Sequence, residues 1–264
     1  MSGLQVERRG GQVWWTLNRP DVRNALDDAL IATMHDEARA LARDETVGVL
    51  VLAGAGASFC AGADLAWMRR MRDYDEHRNL DDAIAVADLF HAIASLPMPV
   101  VARVHGAALG GGAGLLAVSD IVIAADDTQV GFTEARVGIL PATIAPYVVR
   151  RIGIAAARTL FLRAHRMPAA DAHRLGLIDE TCPLANLDAV VEERLGEIAL
   201  GAASSHRATK ALLAELAPLP GAAERRLTAE AIARQRVSDD GQEGLRAFLE
   251  RRTPSWQSRG PSSA

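Results

Sequence analysis

Four short runs in this chain, Val13 to Leu17, Val47 to Ala53, Val100 to Val104 and Ile121 to Ala125, are predominantly apolar and rich in β-branched residues. Runs of this kind read as strands buried on both faces, which belong in a sheet covered by helices. Helical patterns fill the intervals between them. One begins near Asn24, carries Asp27 and Asp28 in its first turn, where negative charge suits the helix dipole, and repeats apolar residues at Leu26, Leu30, Met34 and Leu41. Another covers about residues 81–96 and is stopped by Pro97 and Pro99. Strand and helix therefore alternate, the pattern of an α/β fold.

From Ser204 onward the chain turns to Ala-, Leu- and Arg-rich segments broken at "APLPG" and "SDDGQEG", which read as helices alone. We divide the chain into a core, residues 1–203, and a C-terminal helical region, residues 204–264. The latter is too small to fold by itself and is expected to pack on the core or on a neighbouring subunit. Its last stretch, "TPSWQSRGPSSA", has the composition of a frayed end. With 49% hydrophobic residues in 264 the chain can bury a sizeable core, yet no apolar run approaches the roughly 20 residues that cross a bilayer. The N-terminus lacks the succession of a secretory signal, so a cytoplasmic protein is expected. Cys60 and Cys182 alone make no disulfide framework or paired metal-ligand spacing, and none of the seven histidines falls in one. A net charge of −4 with both signs interspersed argues against a nucleic-acid surface. A small molecule is the expected partner.

Two turns rich in small residues follow strands and precede helices. In "SFCAGADLAWM" the side chains of Ala61, Gly62 and Ala63 are too small to shield their amides, and a helical pattern resumes at Asp64. By itself this is equally a plain strand-to-helix turn. In "HGAALGGGAGLLAVSD" the glycines 110–112 let the backbone approach a bound group, and Ala113 to Val118 form the helix they launch. The glycine spacing fits neither a dinucleotide fingerprint nor a P-loop. The turns could converge on one oxygen atom as an oxyanion hole of main-chain donors. Glu134, in "GFTEARVGILP", sits among Phe132, Thr133, Val137 and Ile139; that setting would raise its pKa and suit it to proton transfer, whereas an unplaced Glu is more commonly solvated. Asp120 is expected to tie down a strand start. Trp14, Trp15 and Trp67 are expected in the core or an interface, with Trp67 near enough to the first turn to floor a pocket.

Together "FCAGADL", "HGAALGGGAGLLAVSDIVIA" and "VGFTEARVGILP" resemble the crotonase superfamily, the enoyl-CoA hydratases and isomerases; "NRPDVRNAL", "FLRAHRMPAADAHRLGLIDE" and "AFLERR" extend the likeness over nearly the whole chain. The resemblance implies a spiral of strand-strand-helix turns, a C-terminal helical trimerisation region, and a homotrimer or dimer of trimers. It implies that the N–H groups of Ala63 and Gly111 hold a thioester oxygen and that Glu134 handles protons. Arg23, Ala25, Ala61, Asp64, Leu65, Ala66, Gly110, Gly114 and Thr133 would line the coenzyme A and acyl path. Coenzyme A enters as part of the substrate, with no separate cofactor. Two departures matter: the second glutamate of common hydratases is replaced by Gly114, and a usual lysine by Ala66. Phosphate contacts would fall to arginines such as Arg23 or Arg69.

One carboxylate can hydrate a double bond or shuttle a proton from the α- to the γ-carbon, so the count of acids leaves hydratase and isomerase open. A non-catalytic acyl-CoA-binding homologue is a third reading. "ADLAWMRRM", "GGGAGL" and "EARVGILPATIAPYVVR" are similar to bacterial methylglutaconyl-CoA and isohexenylglutaconyl-CoA hydratases, which also lack the second glutamate and act in leucine and acyclic terpene breakdown. That similarity implies a substrate with an extra carboxylate and a cation near its acyl end. Arg136 is the candidate nearest in sequence, though an ordinary salt bridge would also account for it.

Overall fold

A computed structural model describes residues 3–258. The chain opens with an antiparallel hairpin, β1 (Leu4–Arg9) and β2 (Gln12–Leu17), and continues through α1 (Asp28–Leu41), β3 (Val49–Gly54), α2 (Leu65–Arg72) and α3 (Glu76–Ala94). Then come β4 (Val100–Val104), β5 (Ala107–Leu109), α4 (Gly111–Val118), β6 (Ile121–Ala125) and β7 (Gln129–Gly131). A 3-10 turn (Glu134–Val137) leads to α5 (Ala145–Arg163), β8 (Arg166–Pro168), α6 (Ala169–Arg174), β9 (Glu180–Cys182) and α7 (Leu187–Ala199). The C-terminal helices are α8 (Ala203–Leu216), α9 (Ala222–Val237), α10 (Asp239–Leu249) and α11 (Ser255–Ser258).

The four apolar runs become β2, β3, β4 and β6, neighbours in a six-stranded sheet of order β1-β2-β3-β4-β6-β9 that is parallel from β2 onward. Their continuous apolarity has a direct cause. Leu50, Val100, Ala102 and Val122 point into the main core, while Val51, Val101 and Ile123 alternate onto the other face and meet Leu187, Val191 and Leu195 of α7. Both faces are dry, so neither residue parity could be polar. Asp120 ties the sheet as expected: its carboxylate accepts from the Val100 N–H at 2.7 Å and pairs with Lys210. Trp14 and Trp15 are buried.

A second sheet of three short strands, β5-β7-β8, has no counterpart in simple strand-helix alternation; its three-residue strands are too short to leave a periodic signal. It makes the architecture a two-layered spiral. The first helix begins later than the apolar spacing suggests. Asp27 is its N-cap, accepting from the Leu30 N–H at 2.8 Å, and Asn24 lies before it in a left-handed turn. There the buried Asn24 amide donates to the carbonyls of Ala55 and Ser58 at 2.7 Å, so this residue staples the loop beyond β3. The helix expected over 81–96 begins at Glu76, capped by Asp75, and α4 begins at Gly111 rather than Ala113. The C-terminal helices divide. α9 lies along α3, joined through Ala83, Ala229 and Ile232, and α10 rests on α2 and on the 3-10 turn; α8 buries no residue. Of the stretch read as frayed, residues 259–264 lie outside the described residues. Among the described residues no helix is long and apolar enough to cross a membrane.

Candidate active site

The first small-residue turn is held by short pieces of strand-like pairing. The Cys60 N–H donates to the Ala107 carbonyl at 2.9 Å and the Leu109 N–H to the Cys60 carbonyl at 3.0 Å, which lashes this turn to the entrance of the second. On its other side the Leu26 N–H donates to the Gly62 carbonyl at 2.7 Å and the Asp64 N–H to the Leu26 carbonyl at 2.8 Å. Ala63 lies between those two bonds, so its N–H faces away from Leu26. Among the described residues no acceptor meets it. The donors at the start of α2 are not free, because Asp64 Oδ1 takes the N–H groups of Ala66 at 2.7 Å and Trp67 at 3.1 Å, while Oδ2 pairs with Arg19 at 2.9 Å. The open donor thus precedes the helix rather than belonging to its first turn.

The second turn is fixed by the Gly110 N–H, which donates to the Gly131 carbonyl at 2.8 Å. Gly110 adopts φ +51°, and Gly62 φ +100°, conformations that residues bearing a Cβ rarely hold. The two touch: a methyl placed on Gly110 would lie 3.8 Å from Gly62 Cα and 3.2 Å from Glu134 Oε1. Gly111 is the first residue of α4, where an N–H has no partner within the helix.

Glu134 arrives from the third direction. The pairing of Gly110 with Gly131 brings β7 beside the second turn, and three residues later the 3-10 turn starts at Glu134. Its Oε2 is buried without a hydrogen-bond partner, and burial pushes its carboxyl up to about 7 against the weaker pull of its own main-chain N–H. A cavity of about 170 Å³ opens between these three pieces, lined by Ala61, Gly62, Ala63, Gly110, Gly111, Thr133 and Glu134 at one end. Leu26, Trp67, Val86, Phe90, Ile139 and Ile144 make most of the rest apolar. Two unengaged main-chain donors and one desolvated carboxyl in an apolar cleft can hold a carbonyl that gains negative charge while a proton moves beside it.

The other site candidates fall outside the cavity lining. Arg23, Leu65 and Ala66 are exposed next to it, and neither Arg23 nor Arg69 has an ion-pair partner among the described residues. Ala25 is buried, its carbonyl taken by Arg19, and Asp64 is occupied as described. Gly114 faces the core: a methyl there would stand 2.5 Å from Ile144 Cγ2 and 3.0 Å from Phe90 Cε1. Arg136 is exposed and does not line the cavity; the cation that does is Arg236 of α9, accompanied by Ile232 and by Phe248 of α10. Sequence reading missed these three because they come from the tail. A signal existed for Arg236, which continues the buried stripe Ala229, Ile232, Ala233 at helical spacing where a charge is out of place. Among the described residues no three His, Cys, Asp or Glu side chains gather to hold a metal ion.

Comparison with known proteins is consistent over the length of the chain. Residues 8–259 match the family described as enoyl-CoA hydratase/isomerase. The 2,3-dehydroadipyl-CoA hydratase of Escherichia coli is 32% identical over 266 residues, covering 98% of this chain and all of that protein. Among solved structures, Pseudomonas aeruginosa AtuE superposes with a TM-score of 0.80 at 38% identity, over 97% of this chain and 99% of that one. An enoyl-CoA hydratase from Mycobacterium avium does so with 0.82 at 32%, over 97% and 99%.

Proposed function

Because this chain belongs to the enoyl-CoA hydratase/isomerase family, we propose that it is an enoyl-CoA hydratase working with a single acid, and that its substrate is a branched glutaconyl-type thioester such as 3-methylglutaconyl-CoA. The thioester oxygen sits between the N–H groups of Ala63 and Gly111. Water approaches the β-carbon; the Glu134 carboxylate takes one of its protons as the C–O bond forms, and the α,β-electron pair moves onto the thioester as an enolate. The two fixed amides meet that charge without reorganising. Glu134 then returns the proton to the α-carbon, so one water is added and the carboxylate is restored. The observation that carries this reading is the buried, unpartnered Oε2 of Glu134, on a carboxyl whose Oε1 lies beside Gly110, in one cavity with both free amides.

The coenzyme A moiety follows the exposed side of the first turn, past Ala61, Leu65 and Ala66, with Arg23 and Arg69 at its phosphates; the reaction needs no cofactor besides. The subunits form a homotrimer or a dimer of trimers, which the exposed Leu212, Leu213 and Leu216 of the otherwise unburied α8 support.

Following the loss of enoyl-thioester absorbance with crotonyl-CoA and 3-methylglutaconyl-CoA tests both parts. Glu134→Gln is expected to lower kcat by about 10²- to 10⁴-fold while binding of the CoA ester persists. Turnover that survives this change removes Glu134 from the mechanism, and turnover of crotonyl-CoA with none of the branched diacid rejects the substrate. A 3-enoyl product in place of the 3-hydroxyacyl thioester would mark the same acid as an isomerase shuttle.

A further inference from the structure

Arg236 is a buried cation without a counter-ion. It is 5% exposed, its Nε has no partner, and its closest acceptors, the main-chain and side-chain oxygens of Asn79, lie at 3.5 Å, the outer limit of a hydrogen bond. Asp82 attracts it, but that carboxylate is not within ion-pair distance and accepts instead from Trp67 Nε1 at 3.0 Å. Leaving a guanidinium so poorly matched in an apolar interior is costly unless something completes it, and here burial depresses its pKa to about 10.

Its place in the cavity says what does. Along α3, Phe90 packs at the Gly111 end, Val86 follows one turn on, and Asn79, the neighbour of Arg236, lies eleven residues from Phe90 toward the N-terminus, about 16 Å of helix. The guanidinium therefore stands at the end of the cavity remote from the two amides, where the tail of an acyl chain would finish, with apolar Ile232 and Phe248 around it. We infer that Arg236 is a specificity residue that receives a carboxylate at the far end of the acyl group, so that this site selects dicarboxylic over monocarboxylic acyl thioesters. The inference rests on the acyl-CoA reading above and supplies the cation that Arg136 does not.

Calorimetric titration with unreactive saturated thioesters separates the two. Wild-type protein is expected to bind glutaryl-CoA more tightly than pentanoyl-CoA. Arg236→Gln should weaken glutaryl-CoA by about 10- to 100-fold more than pentanoyl-CoA, and Arg236→Lys should recover part of the difference. Equal affinity of the wild-type protein for both thioesters, or equal weakening of both by Arg236→Gln, overturns the assignment. Should the variants fail to fold, as judged by circular dichroism, the wild-type preference alone decides. Because no turnover is involved, a glutaryl preference in a protein that hydrates nothing would sink the hydratase reading and leave this one standing; hydration without the preference does the reverse.

Discussion

Glu134 gains its chemistry from its surroundings. Held near 7 by burial, it is poised to accept and return a proton at neutral pH. In its proposed role as base it must be ionised in the free enzyme, so kcat/KM for crotonyl-CoA is expected to fall about tenfold per unit below pH 7 and to level off above it; a profile flat down to pH 5 would contradict the assignment. The same shift bears on stability. The folded chain holds a proton on Glu134 through a range in which the unfolded chain has already released it. The stabilising effect is complete below the ordinary carboxyl range and is lost as pH rises through about 7, beyond which the buried charge costs up to about 3 kcal/mol. Glu134→Gln should therefore raise Tm relative to the parent at pH 8.5 and much less at pH 5, measurable by thermal denaturation. Gly114 illustrates the opposite constraint. No glutamate can be accommodated there, since Ile144 and Phe90 already fill the space. Gly114→Glu is expected to lose about 3 kcal/mol or more, through overpacking and a buried charge, and to gain no rate.

Among elements, the turns act as a unit because their backbones are bonded to one another as well as to the strands that precede them. Asp64 closes the arrangement by capping α2 and holding Arg19, so Asp64→Ala should cost about 1–2 kcal/mol and lower kcat through the adjacent Ala63 amide. Two of the C-terminal helices, α9 and α10, also reach the cavity and the turn that carries Glu134. Gln235 Nε2 donates to the Gly138 carbonyl at 2.8 Å, and α10 packs so tightly on the turn carrying Glu134 that a methyl on Gly244 would lie 2.4 Å from the Val137 carbonyl carbon. Gly244→Val is therefore expected to lower both Tm and kcat, read by melting and by the crotonyl-CoA assay; a variant with parental values would show that α10 does not position the acid.

For the whole molecule, α8 leaves an apolar face uncovered by the rest of the described residues. Its leucines 212, 213 and 216 are more than half exposed, while Arg207 and Lys210 anchor it to the core through the carbonyls of Asp44, Val47 and Met98. A face of this kind is normally covered by a partner. Replacing Leu213 and Leu216 together by Glu should shift the proposed trimer toward monomer in light scattering, with little change in far-ultraviolet circular dichroism; a parental mass would remove α8 from the interface.

The buried strands, the covered parallel sheet, both small-residue turns and Glu134 were legible in the amino-acid order, because each is a local pattern: an unbroken apolar run, glycines after a strand, an acid among hydrophobic neighbours. The family likeness added roles for Ala63 and Gly111. What the order alone could not supply was which distant residues share a wall. Arg236 and Phe248 lie more than a hundred residues beyond Gly111 in the chain, and only the packing of α9 on α3 and of α10 on the turn carrying Glu134 brings them to one cavity. Local patterns follow from the geometry of a few successive residues, whereas the chemistry at the far end of this cleft arises where side chains from separate helices are buried together.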